Sequence, residues 1–159
     1  MIKSAEFSDC GKYRYQLQRE WDGSRKIAMV IMLNPSTANS EEDDPTIRTL
    51  TRVLAVQGYG GFRVVNLYAL IGSKPKCLWE TNDPQGMNDH WLQETALLCQ
   101  DVIYAWGSFE GIKFRAYQVM KMFPDGLCFG KSAKTGMPWH PLALMYNGIR
   151  DEDAKLVKF

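Results

Sequence analysis

Three polar side chains stand where apolar stretches end. Asn34 follows Ile27-Ala28-Met29-Val30-Ile31-Met32-Leu33 and precedes Pro35, Asn66 closes Phe62-Arg63-Val64-Val65, and His140 lies between Trp139 and Pro141. A carboxamide offers two donors and an acceptor, so Asn34 can orient a water or a substrate group and Asn66 can read the edge of a nucleobase with two bonds. The imidazole of His140, one of two histidines, can donate to a developing anion or act as an acid near neutral pH. Each also has a plain structural reading. Asn before Pro commonly starts a turn, a strand-end Asn can be satisfied by backbone groups, and a loop histidine can simply be half-buried. His90, beside Trp91 in a helical segment, is read as structural or surface.

Other residues carry weaker signals. The acidic run Glu41-Glu42-Asp43-Asp44 reads as a solvated turn plus a helix cap; the sharper reading gives Asp43 or Asp44 a divalent-metal or general-base role. Lys131 and Lys134 in the last long loop, with Arg48 and Arg52, are candidates for a phosphate-contacting rim, against scattered surface charge as the alternative. Tyr59, Phe62, Tyr68 and Trp139 are candidates for stacking on a base, although most aromatics in a domain of this size are core. There is no phosphate-binding glycine loop, zinc-protease helix or nucleophile elbow. Cys10, Cys77, Cys99 and Cys128 form no C-x-x-C pair and have no histidine at ligand spacing. They read as reduced, mostly buried thiols, and neither metal nor cofactor is expected.

The elements that must position these residues follow from periodicity. Tyr13–Trp21 alternates as a strand does and Asp22-Gly23 follows as a turn, so a leading N-terminal β-hairpin is expected. Ile27–Leu33 is apolar throughout, as in a strand covered on both faces. Asp44-Pro45 marks a helix start, with Ile47, Leu50, Val53, Leu54 and Val56 at helical spacing and Gly58 as the stop. Phe62–Leu67 is a second buried strand. Asp89–Gln100 is a helix with Trp91, Leu92, Thr95, Ala96, Leu98 and Cys99 inward. Asp101–Trp106 is a strand, Gly111–Phe123 a helix, and Leu127–Phe129 a short strand, followed by a loop from Lys131 to His140 and a charged surface tail. After the hairpin the order is β-α-β-α-β-α-β. This predicts an α/β, three-layer α/β/α fold with a central four-stranded, mostly parallel sheet. Ligands of such sheets bind beyond the carboxyl ends of the strands, which is where Asn34, Asn66, Trp106-Gly107-Ser108 and the loop carrying His140 fall.

With 159 residues and neither repeats nor linkers, residues 1–159 read as one domain. The net charge of +1 withholds the basic excess that supplies most non-specific affinity for nucleic acid, so any such contact must come from a local patch. No apolar run approaches the ~20 residues that cross a bilayer, and no signal-peptide layout is present. A cytoplasmic monomer with no membrane partner is expected.

Two resemblances rest on these residues. Met32-Leu33-Asn34-Pro35-Ser36-Thr37-Ala38, Asp43-Asp44-Pro45-Thr46, Gly60 through Leu70, Ala105-Trp106-Gly107 and Gly136-Met137-Pro138-Trp139-His140-Pro141-Leu142 resemble, in order, a bacterial and phage family of unknown function, DUF1643. The same landmarks are more distantly similar to the uracil-DNA glycosylase superfamily. There a strand-end Gly-Ile-Asn-Pro-Gly motif positions the attacking water, a second strand-end Asn reads the base, a strand ends in Trp-Gly, and a His-Pro-Ser motif stabilises the leaving base. This sequence has Leu33-Asn34-Pro35-Ser36, Val64-Val65-Asn66-Leu67, Ala105-Trp106-Gly107 and His140-Pro141-Leu142 in those places. It departs in lacking the serine of the last motif and in carrying acid after the first.

That resemblance implies a uracil-DNA-glycosylase-like domain. Asn34 and His140 would be catalytic. Asn66, Tyr68, Leu33, Pro35 and Trp106 would hold the base, and Ser36, Thr37, Lys131, Lys134 and Leu142 would contact nucleic acid. The expected activity is N-glycosidic hydrolysis, as in base excision from DNA, single strands included. The alternatives are a non-catalytic or nucleotide-level nucleobase-binding module, in a phage or defence setting, and a protein–protein adaptor that uses the fold as a scaffold.

Overall fold

The computed structural model describes residues 1–159. Seven strands form one mixed sheet: β1 (Ile2–Phe7), β2 (Arg14–Glu20), β3 (Ile27–Met32), β4 (Gly61–Asn66), β5 (Asp101–Tyr104), β6 (Leu127–Cys128) and β7 (Val157–Lys158). Their spatial order is β1-β2-β4-β3-β5-β6-β7. β3 pairs parallel with both β4 and β5, and β6 joins β5 through the single parallel pair Ile103–Leu127. The margins, β1–β2, β2–β4 and β6–β7, are antiparallel. Four α-helices accompany the sheet: α1 (Pro45–Val56), α2 (Asn88–Ala96), α3 (Lys113–Met122) and α4 (Leu142–Tyr146). None is long and apolar enough to cross a membrane.

β3 explains why its sequence is apolar throughout. Successive side chains point to opposite faces of a strand. Ala28, Val30 and Met32 enter one core with Leu50, Val53 and Leu54 of α1 and Leu144 of α4. Met29 and Ile31 enter a second core with Leu92 of α2 and Ala116 and Val119 of α3. Helices therefore cover both faces. α1 begins as its sequence predicts: the Asp44 side chain accepts from Ile47 N at 2.9 Å, Pro45 occupies the first turn, and Gly58 takes φ +88° after the helix ends.

Several expectations are corrected. The sheet has seven strands, not four. The N-terminal hairpin joins β2 to β1, not to β3, because β4 lies between β2 and β3. The Asp22-Gly23 segment crosses the start of β4: Trp21 N and Asp22 N donate to Gly60 O, and Gly60 N donates to Lys26 O. A Cβ on Gly60 would sit 1.8 Å from Asp22 O, so only glycine admits the crossing. β1 and β7 escape sequence recognition because neither has a buried residue, and so neither shows an apolar pattern. α2 stops at Ala96, which leaves Leu98 exposed. Of the four thiols only Cys128 is buried.

Candidate functional site

The parallel strands β3, β4 and β5 end together, and a cleft of about 400 Å³ opens beyond them. β3 contributes Met32 and, just past its end, Leu33 and Asn34; β4 contributes Val64 and Asn66. Trp106, Gly107, Ser108 and Phe109 follow β5. The N-terminus of α1 contributes Asp44, Thr46 and Ile47, His140 comes from the last long loop, and Leu142 begins α4. Asn34, Asn66 and His140, separated by 32 and 74 positions in the chain, thus line one cavity.

Asn66 is 1% exposed, yet neither its amide nitrogen nor its amide oxygen has a hydrogen-bond partner. A buried polar group without a partner costs about 1–3 kcal/mol. The backbone around it is held firmly: Asn88 Nδ2 donates to Asn66 O at 2.5 Å and to Leu67 O at 3.2 Å, and Arg115 Nε donates to Leu67 O at 2.8 Å. Asp89 takes Arg115 Nη2 at 2.5 Å. The end of β4 is fixed by its neighbours while its side chain is left open.

Asn34 shows the opposite pattern. Its NH₂ donates to Gly72 O at 3.0 Å and to Pro35 O at 3.2 Å, with Leu70 O at 3.5 Å. Those bonds tie the loop after β3 to the loop after β4 and leave Oδ1 as the uncommitted end of the amide. Gly72 N also donates to Pro35 O at 3.0 Å. The chain bends at Leu33-Asn34, and this segment sets the amide in the cleft wall.

His140 Nδ1 accepts from Leu142 N at 3.2 Å. That bond places the proton of the neutral ring on Nε2. Burial pushes the imidazole pKa below its ordinary value, partly opposed by the charge of Asp44. Gly107 packs against this ring's base: its φ is +75°, and a Cβ there would stand 3.3 Å from His140 Cβ.

Two charged residues complete the lining. Asp44 uses one oxygen to cap α1, and the other accepts from Ser36 Oγ at 2.7 Å. Arg14, at the start of β2, is 4% exposed and donates through Nη1 to Ala38 O, while its Nε–H has no partner. Burial lowers its pKa to about 10, against the opposing charge of Asp44, so it remains a cation at neutral pH.

The other sequence candidates divide. Leu33, Ser36, Trp106 and Leu142 line the cleft; Pro35, Thr37, Tyr68, Lys131 and Lys134 do not. Pro35 and Tyr68 are buried elsewhere and Thr37 faces solvent. Lys131 lies over the Phe159 ring, 4.2 Å from its centre, and Lys134 borders a separate hollow beside Phe114. Arg52 pairs with Asp151 at 2.8 Å, and Arg48 donates to Asp43 O, so no phosphate rim assembles from these four cations. Tyr59 and Phe62 belong to the α1-side core, and Trp139 packs against it. Asp43 pairs with Arg19 at 2.7 Å and with Lys3 at 3.6 Å, which accounts for its place in the acidic run. Five cleft residues escape the sequence analysis: Arg14, Phe109 and, on the loop after β4, Gly72, Ser73 and Pro75. Arg14 sits in a segment whose alternation marks it only as a strand. Phe109 follows the recognised Trp106-Gly107 and stacks on Trp79, 6.4 Å between ring centres.

The fold is α/β, with a partly polar cleft at the carboxyl ends of its parallel strands. The chain belongs to DUF1643, described as a protein of unknown function, whose family model matches residues 14–142. Arg14 and Leu142, the ends of that span, both line the cleft, and every other lining residue falls between them. No curated protein and no solved structure matches the chain.

Proposed function

We propose that the protein holds a nucleobase in this cleft and hydrolyses the N-glycosidic bond that attaches it to its sugar. The observation that carries the reading is Asn66: a buried amide whose donor and acceptor are both unused, in the wall of a cavity. A base edge that presents an acceptor beside a donor satisfies both atoms at once. The distant similarity of the strand-end motifs to uracil-DNA glycosylases supports the same assignment, with Leu33 and Trp106 as walls around the base and Ser36 and Leu142 at the margin.

In this reading Asn34 Oδ1 orients a water beside the anomeric carbon. The amide contributes position rather than basicity, since it takes up no proton near pH 7. The water oxygen bonds to the carbon as the carbon–nitrogen bond breaks, and the bonding pair leaves with the base. His140 Nε2–H donates to the negative charge that develops there. In net, the sugar gains the hydroxyl and the base gains the proton. Removing one such donor costs about a hundredfold or more in rate.

The test is product formation. Single- and double-stranded oligonucleotides carrying uracil, hypoxanthine, xanthine or hydroxymethyluracil would be scored by alkaline cleavage of abasic sites, and the corresponding free nucleotides by release of the base. Wild type is expected to release one of these bases, and Asn34→Ala and His140→Ala to release it at least a hundredfold more slowly. A ligand that raises the melting temperature without any product would convert the reading to a binding module. Full activity in both variants would discard the roles given to these residues.

A further inference from the structure

The protein has three arginines buried to nine-tenths or more: Arg14, Arg19 and Arg115. Arg19 pairs with Asp43 at 2.7 Å and donates to Gln18 O and Asn39 O. Arg115 pairs with Asp89 at 2.5 Å and donates to Leu67 O. Arg14 alone makes no ion pair; its one bond is to Ala38 O, and its buried Nε–H is unpartnered. It is also the only one of the three that lines the cleft. A buried cation is costly unless an anion and hydrogen bonds compensate it. The nearby Asp44 is already engaged through both oxygens, by Ile47 N and Ser36 Oγ. Arg14 thus faces the cleft with no carboxylate in direct contact and one N–H free for an incoming anion.

We infer that Arg14 receives the phosphate of a free nucleotide whose base lies against Asn66, so that the substrate is a nucleoside 5′-monophosphate rather than a nucleic-acid strand. The inference rests on the cleft being a nucleobase site. A guanidinium fork matches a phosphate in two parallel bonds. A terminal phosphomonoester can be enclosed, whereas a strand must leave its binding site in both directions along a cationic track. Two of the cations of the candidate rim are committed elsewhere, Lys131 to Phe159 and Arg52 to Asp151, and the net charge is only +1. A cavity near 400 Å³ also suits one small ligand better than a polymer.

Calorimetric titration separates the possibilities. The titrants would be nucleosides, their 5′-monophosphates, inorganic phosphate and a single-stranded oligonucleotide. Wild type is expected to bind the matching monophosphate at least tenfold more tightly than its nucleoside. Arg14→Met should bring that ratio to about one while nucleoside affinity stays within a few-fold. Asn66→Leu should lose nucleoside and monophosphate alike. A ratio unchanged in Arg14→Met, or an oligonucleotide bound more tightly than the monophosphate, overturns the inference and leaves the base site standing. Should Arg14→Met fail to fold, Arg14→Lys keeps the charge without the fork; its ratio should fall below that of wild type, and an undiminished ratio overturns the inference. If no nucleoside, nucleotide or oligonucleotide binds wild type, the base site itself is wrong and this inference falls with it.

Discussion

The ring of His140 accepts the backbone N–H of Leu142 through Nδ1 at 3.2 Å. The residue that supplies the bond is the one that begins α4, so the short helix sets the ring's tautomer. A neutral imidazole with its proton on Nε2 is a donor without being a cation, and burial keeps it in that state by lowering its pKa.

This gives a stability signature with a fixed sign. The folded pKa lies below the ordinary value of 6.5, so between the two values the unfolded chain binds more protons than the folded one. The contribution of His140 is present above pH 6.5 and is lost as pH falls towards the depressed folded value. Unfolding midpoints across that window should decline more steeply for wild type than for His140→Gln. Parallel curves would show that the imidazole is not depressed.

Asp44 opposes that depression electrostatically and also caps α1. Asn caps as well as Asp does, whereas Ala costs about 1 kcal/mol. Asp44→Asn should therefore keep the helix cap and push the His140 pKa lower still, while Asp44→Ala also loses about 1 kcal/mol of capping. Proton NMR titration of the His140 ring reads the shift directly. A His140 pKa that rises in Asp44→Asn contradicts the assignment.

Asn66 should be retained against stability. Leucine has a similar shape and removes two unpaired buried polar atoms, which together impose a penalty of about 1–3 kcal/mol or more. Asn66→Leu is expected to melt at or above the wild-type temperature and to lose ligand binding. A large drop in melting temperature would mean that the amide has a partner in the folded protein.

Gly107 and Gly136 separate backbone strain from site geometry. Both have positive φ, +75° and +71°, so alanine should cost each about 1–2 kcal/mol. Only at Gly107 does the added Cβ meet His140; at Gly136 it meets nothing within 4 Å. Thermal unfolding should show comparable losses in the two variants, whereas activity or ligand binding should fall only in Gly107→Ala. Equal functional losses would remove the special role of the Gly107–His140 contact.

The parts of this protein that its sequence determined are those with local causes. Asp44-Pro45 announces α1 because capping acts within one turn. The continuous apolar run of β3 announces two covered faces because strand side chains alternate. Asn34, Asn66 and His140 stand out because each interrupts or ends an apolar stretch, and the β-α alternation places those ends on one edge of a sheet.

The tertiary structure decided what depends on distant partners. Which strand neighbours β2 is settled by Gly60, some 40 residues away, whose missing side chain lets the Asp22 segment cross β4. Three buried arginines are alike in the sequence, and only the fold gives Arg19 and Arg115 their carboxylates and leaves Arg14 facing the cleft without one. Hydrogen-bond satisfaction is a property of the folded surroundings. The sequence could therefore nominate Asn66 as a polar residue in an apolar place, but only the structure leaves both ends of its amide unpaired.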